Sequence, residues 1–201
     1  VWVVFTPSRL TPIIRQVADK VVVCDYEIGS VELTFFSTFP EFGFRADTLC
    51  LVNPCEGGKQ DTVLFASEVL ATVDVQTLLR DKHLKVHQLA LTGAEGYVYM
   101  ADSINNLDVL LLPEDTTVDT TATALPFEKI TIEQLTVDAK RLVLDDRKDS
   151  IDATLLNTNL HARMAGFEDV YVCLSSQDVS AVIGGEVYAD HLRVGAELPL
   201  A

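Results

Sequence analysis

Leu84-Lys85-Val86-His87-Gln88-Leu89-Ala90-Leu91 is the stretch that decides the fold. Leu84 and Val86 alternate with Lys85 and His87, which is the grammar of a strand with one dry and one wet face. Between Val86 and Leu89 the spacing grows to three, so the apolar parity flips, and Leu89 and Leu91 then alternate again. A straight strand of this sequence would turn half of its apolar side chains to water. One extra residue, a β-bulge, returns them to a single face and adds twist and bend.

The same flip occurs from Ile28 to Val31, Ala46 to Leu49, Ala66 to Val69, Ile132 to Leu135 and Ala189 to Leu192. Each of the six is followed two positions on by another apolar residue, and the first four, at Ile28, Ala46, Ala66 and Val86, start 18, 20 and 20 residues apart. A period near 20 is that of stacked β units. Around the flips, Tyr26, Ile28, Val31, Leu33, Phe35, Phe42 and Phe44 continue the alternation, and Val, Ile, Thr, Phe and Tyr dominate the runs. The eight-residue stretch also has an echo. Ile130-Thr131-Ile132-Glu133-Gln134-Leu135-Thr136-Val137 repeats it, and Leu142-Val143-Leu144 with Asp145 answers Tyr97-Val98-Tyr99 with Asp102. Each copy reads as a strand, a tight turn and a returning strand.

Outside this grammar, Thr6-Pro7-Ser8 supplies cap and first-turn chemistry. Leu10, Ile13, Ile14, Val17 and Val21 then form one stripe at helical spacing. The sequence thus predicts an amphipathic helix over residues 6–21, closing one end of a bent antiparallel sheet. Residues 113–126, rich in Thr and Asp, read as a mobile loop inside the same domain. Asp145 to Asp149 read as a charged hairpin turn, and Val194 to Ala201 as strand, so the natural chain is expected to continue. The all-apolar residues 1–5 read equally as a strand or as the stump of a membrane anchor with Trp2 at the interface. One domain spanning 1–201 is expected.

The chain carries 15 Lys and Arg against 30 Asp and Glu, a net charge of −15 spread along its length. Phosphate binding needs Lys and Arg to displace counterions, so nucleic acid is excluded as a partner, and a flat anionic bilayer is disfavoured. A mean hydropathy of +0.24 in so acidic a chain implies either unusual burial or an apolar surface kept for a ligand. Cys24, Cys50, Cys55 and Cys173 show no metal-ligand spacing and read as small buried side chains, with a disulfide open in an oxidising compartment.

Catalytic patterns are missing. No nucleophile elbow, P-loop or dinucleotide fingerprint occurs. His83 and His87 flank Lys85 on the polar side of a strand and read as surface histidines, and Asp145, Asp146 and Asp149 lack the ligand order of a calcium loop. No enzyme activity, metal or cofactor is expected.

Read in order, several segments resemble the start of AsmA-family proteins. Tyr26-Glu27-Ile28-Gly29-Ser30-Val31-Glu32-Leu33 follows a short helix, and Phe44 to Asn53-Pro54 resembles the next strand. Phe65 to Leu79, Leu84 to Gly93 and Leu125 to Leu135 resemble the blocks after it. The four cysteines and the incomplete anchor depart from the pattern. The resemblance implies a periplasmic protein of a Gram-negative bacterium, tethered to the inner membrane by an anchor outside this sequence. It implies a curved sheet with an apolar groove, like that of bridge-like lipid transfer proteins, which serves outer-membrane biogenesis and has a partner at the outer membrane. The groove is expected to take phospholipid or another acyl-chain lipid on Val31, Leu33, Phe35, Phe42, Phe44, Leu49, Leu51, Val86, Leu89, Leu91, Ile132, Leu135 and Val137. The alternative is a scaffold or assembly module whose apolar face is closed by its own chain or by a partner.

Overall fold

The computed structural model describes residues 15, 22, 24–35, 41–55, 59–102, 104–107, 129–164 and 170–200. The predicted helix, apart from Arg15, and the predicted loop and anchor stump lie outside them. The described chain is mainly β and forms one large open sheet of 13 strands.

The strands are β1 (Tyr26–Ile28), β2 (Val31–Phe35), β3 (Glu41–Ala46), β4 (Leu49–Val52), β5 (Thr62–Ala66), β6 (Glu68–Asp74), β7 (His83–Ala101), β8 (Ile104–Asn105), β9 (Lys129–Ile132), β10 (Gln134–Asp146), β11 (Ile151–Met164), β12 (Val170–Ile183) and β13 (Glu186–Leu200). One path runs β1-β4-β5-β7-β10-β11-β12-β13, and β2, β3 and β6 continue the first three of these strands on the other side of a short interruption.

The sheet is mixed, which corrects the expected antiparallel one. β10 and β9 both run parallel to β7. The two sequence echoes are not two hairpins but neighbouring strands. Leu84 faces Ile130, Leu89 faces Leu135 and Leu91 faces Val137, so the internal repeat is spent on register. Equivalent residues of a repeat lie side by side when their strands run the same way, and each apolar residue then meets its own counterpart.

The six parity flips fall where pairing stops or skips. Gly29-Ser30 separates β1 from β2, Asp47-Thr48 separates β3 from β4, Ser67 separates β5 from β6, and Glu133 separates β9 from β10. On β7 the pairing with β6 passes over His87. On β13 it slips between Ala189 and Leu192, where His191 has φ of 52°.

Three of these interruptions belong to a seam that runs across the sheet from β1 to β12. It runs from Gly29-Ser30 through Asp47-Thr48 and Ser67 to Gly93, then on to Lys140, Asn157 and Gln177, all of which are passed over by the strand register. Backbone bonds bridge its first part, from Gly29 N to Thr48 O at 3.0 Å and from Ser67 N to Thr92 O at 3.0 Å. Gly93 has φ of 62°, and a Cβ there would collide with Ser67 Oγ. Asn157 has φ of 49°, a value that Asn tolerates better than branched residues.

Small side chains border the seam. Ala94, Ala139, Thr158 and Ser176 form one cross-strand row, and all are at most 2% exposed. Thr158 Oγ1 donates to Ser176 Oγ at 2.9 Å, and Ser176 Oγ donates to Leu156 O at 3.0 Å, so the two buried hydroxyls are satisfied locally.

The helix present among the described residues is α1 (Val75–Asp81). Asp74 caps it, accepting from Thr77 N at 3.0 Å and Thr77 Oγ1 at 2.6 Å, and Lys82 closes it with φ of 50°.

Candidate functional site: an apolar sheet face

Residues directly opposite in a sheet share a face. Following the register from β2 gives the row Leu33, Phe44, Ala71, Leu89, Leu135, Ala162, Val172. The next row is Val31, Ala46, Val69, Leu91, Val137, Leu160, Leu174, Ala196. A third, shorter row is Phe42, Val73, Val86, Ile132.

Beyond the seam the row Tyr26, Leu51, Leu64, Gly96, Leu142, Leu155, Val179, Leu192 spans the whole path. It lies on the same side as the others, because β13 carries Ala196, Val194 and Leu192 in simple alternation. Among the described residues of these rows and of the seam row, the polar groups are the hydroxyls of Thr158 and Ser176, which bond each other, and that of Tyr26, which donates to Arg15 O at 2.9 Å.

Of the thirteen residues expected to line a groove, the twelve other than Phe35 therefore come together on one face, with Leu49 beside Ala66 and Ile28. Val31 and Val86 are buried; Leu33, Phe42, Phe44, Leu49, Leu51, Leu89, Leu91, Ile132, Leu135 and Val137 are half-buried. Phe35 pairs with Phe42, and its side chain lies outside the described residues. The expected set covers only part of the face. Leu64, Leu142, Leu155, Leu160, Leu174 and Val179 belong to it as well.

The opposite face carries charge. Arg45 pairs with Glu68, and Lys85 Nζ meets Glu133 Oε1 at 2.8 Å. His83 Nε2 lies 2.8 Å from Thr131 Oγ1, and His87 Nδ1 lies 2.7 Å from Glu133 Oε2. The two histidines thus serve different partners, and no group of metal-ligating side chains occurs among the described residues. Asp145 and Asp146, read from sequence as turn solvation, are instead buried. Asp146 caps the turn through Lys148 N and Asp149 N, while Asp145 accepts from Tyr97. None of the four cysteines is bonded to another, and burial pushes the Cys24 and Cys55 thiols up. At the β1 end of the sheet, a cavity of about 1030 Å³ mixes Tyr26 and Ile28 with Arg15, Asp25 and Glu27.

Lys85 first and His87 second hold the Glu133 carboxyl below its usual range. A carboxyl depressed in the folded state adds stability above its unfolded pKa, and that stability is lost as pH falls through the folded value. Glu133 is 40% exposed, so screening keeps the contribution below about 1 kcal/mol. Melting curves should show Glu133→Gln less stable than the parent near neutral pH, with the gap closing as the pH falls into and below the ordinary glutamate range. A gap that stays constant would mean that the pairing does not hold in solution.

Compared with known proteins, the chain matches no family model and no curated protein.

Proposed function

We propose that this chain binds the acyl chains of phospholipids along the apolar face of its sheet and performs no covalent chemistry. The observation that carries this reading is the continuity of the face. Uncharged rows cross from β1–β2 to β13, and in the fold as described no second layer of strands covers them. A globular sheet of this size buries one face against helices or another sheet. Here most of the aliphatic side chains are half-buried and keep part of their surface open, a surface that something apolar would cover.

On this reading the seam and the skipped residues act as bulges. They bend the sheet into a shallow groove whose inner side carries the smallest side chains, at Ala94 and Ala139. The helix expected over residues 6–21 closes one end. The order of the segments resembling AsmA proteins gives the setting: the periplasm, an inner-membrane tether and lipid passage toward an outer-membrane partner.

Organic extraction of the purified protein followed by mass spectrometry tests the reading. Phospholipid at a reproducible ratio to protein is the expected result. Protein that carries no lipid and takes none up from vesicles of mixed phosphatidylethanolamine and phosphatidylglycerol overturns it. The face would then be closed by the chain itself or by a protein partner.

A further inference from the structure

Two of the apolar rows end on β1, at Tyr26 and Ile28, and the cavity at that end of the sheet lies against both. Val22 and Val52 add to its apolar lining, and three exposed side chains, Arg15, Asp25 and Glu27, add charge. At about 1030 Å³ it matches the larger sites for small molecules, which combine an apolar body with a few placed polar groups. Arg15 is anchored on β1. Its carbonyl oxygen accepts from Tyr26 Oη at 2.9 Å, and its guanidinium donates to Ile28 O at 3.4 Å. Among the described residues no ion pair joins it to Asp25 or Glu27, so most of its five N–H groups are left for a ligand.

We propose that this cavity binds the headgroup of a zwitterionic aminophospholipid, with its phosphate on Arg15, its ammonium on Asp25 and Glu27, and its acyl chains entering the rows at Tyr26 and Ile28. The charges decide the class. A guanidinium fork matches phosphate oxygens in geometry and charge. A simple phosphate, or the headgroup of an anionic lipid, would meet two carboxylates beside that one cation, in a chain of net charge −15. A simple cation would meet the carboxylates but also the guanidinium. A headgroup that carries both signs, with the phosphate nearest the acyl chains and a primary ammonium beyond it, satisfies all three side chains. Like charges brought together discriminate against the wrong ligand by repulsion. The apolar rows give affinity for acyl chains and do not tell one headgroup from another, so selectivity falls to the cavity. The inference rests on the apolar face taking lipid and adds which lipid it takes.

The full chain, incubated with vesicles of equal parts phosphatidylethanolamine and phosphatidylglycerol and then separated from them, should carry phosphatidylethanolamine enriched about threefold to tenfold, the range that one or two exposed charge contacts supply. Asp25→Asn with Glu27→Gln should return the extracted lipid to the supplied ratio. Arg15→Gln should lower the phosphatidylethanolamine recovered by a similar factor. Asp138→Asn with Glu186→Gln removes as much negative charge from exposed positions on β10 and β13 and should keep the enrichment. Phosphoethanolamine in solution, the headgroup without its chains, should not displace the bound lipid. Circular dichroism of each variant shows that the fold persists. Several results overturn the proposal and leave lipid binding itself standing: lipid recovered at the supplied ratio, an enrichment that survives the double exchange at Asp25 and Glu27, one lost equally in the control, full recovery with Arg15→Gln, or displacement by phosphoethanolamine, which would make the cavity a site for a free phosphoester. A chain that takes up neither lipid overturns both readings.

Discussion

Leu89→Glu and Leu135→Glu are each expected to abolish recovery of phospholipid with the protein and to leave one cooperative melting transition. The two leucines face each other across the parallel β7–β10 pair, with Ala71 on one side of the row and Ala162 on the other. Both are half-buried. A carboxylate at either place would lie among bound acyl chains, and desolvating a charge without a partner costs at least several kcal/mol. A loss of about 4 kcal/mol weakens binding roughly a thousandfold.

In the lipid-free protein the same carboxylate can stay wet at the open face. The cost to folding is then that of losing one half-buried leucine, about 1–2 kcal/mol. Gln88→Glu is the control: Gln88 is exposed on the charged face beside Leu89, and this variant should keep its lipid. If both leucine variants fail to fold, the face is a closed core. If they fold and retain lipid, the acyl chains sit elsewhere.

The alternation that defines the apolar face was legible because water on one side and apolar contacts on the other impose a period of two on any strand. The parity flips were legible where large aliphatic residues flank them, as at Ile28 and Val31 on the seam and at Val86 and Leu89 away from it. Further along the seam, from Gly93 to Gln177, they were not. At Ala94, Gly96, Thr158 and Ser176 the face is lined by small or hydroxyl side chains, so the shift of parity leaves no mark in a hydrophobicity pattern. The direction of pairing was hidden for a different reason, since parallel and antiparallel strands share the same side-chain period. The echo of Leu84–Leu91 in Ile130–Val137 did hold the register, but it reads as two hairpins unless the strands are allowed to run side by side.

Helix α1 was missed because Val75-Gln76-Thr77-Leu78-Leu79 continues a β-branched and aliphatic run. Its signal was the cap, Asp74 followed by Thr77. The buried role of Asp145 could not be read at all. Its neighbours Lys59 and Tyr97 come from distant parts of the chain, and Asp152, which shares Lys59 with it, stands 93 residues from that lysine.

That polar cluster gives the largest expected loss of stability. Tyr97→Ala should lower the free energy of unfolding by about 3–5 kcal/mol, and Tyr97→Phe by about 1–3 kcal/mol. Tyr97 is 1% exposed on the charged side of β7, with its ring stacked on Tyr99 at 6.3 Å between centroids and packed beside Val143. Its hydroxyl donates to Asp145 Oδ2 at 3.0 Å and accepts from Lys59 N at 2.7 Å, tying the segment after β4 to the sheet. Burial, more than any neighbour, pushes the phenol up, so it stays a protonated donor at neutral pH.

The alanine variant loses the ring, its stacking and both hydrogen bonds. The phenylalanine variant keeps the packing but leaves Lys59 N and the buried Asp145 without the hydroxyl. The nearest cations then stand farther off, Lys59 Nζ at 3.6 Å and Arg147 Nε at 3.7 Å, with the Arg147 guanidinium lying over the Tyr99 ring. Urea unfolding of the two variants separates packing from hydrogen bonding. Equal losses would mean that the ring contributes little, and an unchanged Tyr97→Phe would mean that the bond to Asp145 is not made in solution. Because Tyr97 lies across the sheet from the apolar rows, Tyr97→Phe should also retain its phospholipid. Loss of lipid in a folded Tyr97→Phe protein would show that acyl chains are held on the face opposite to the one argued for.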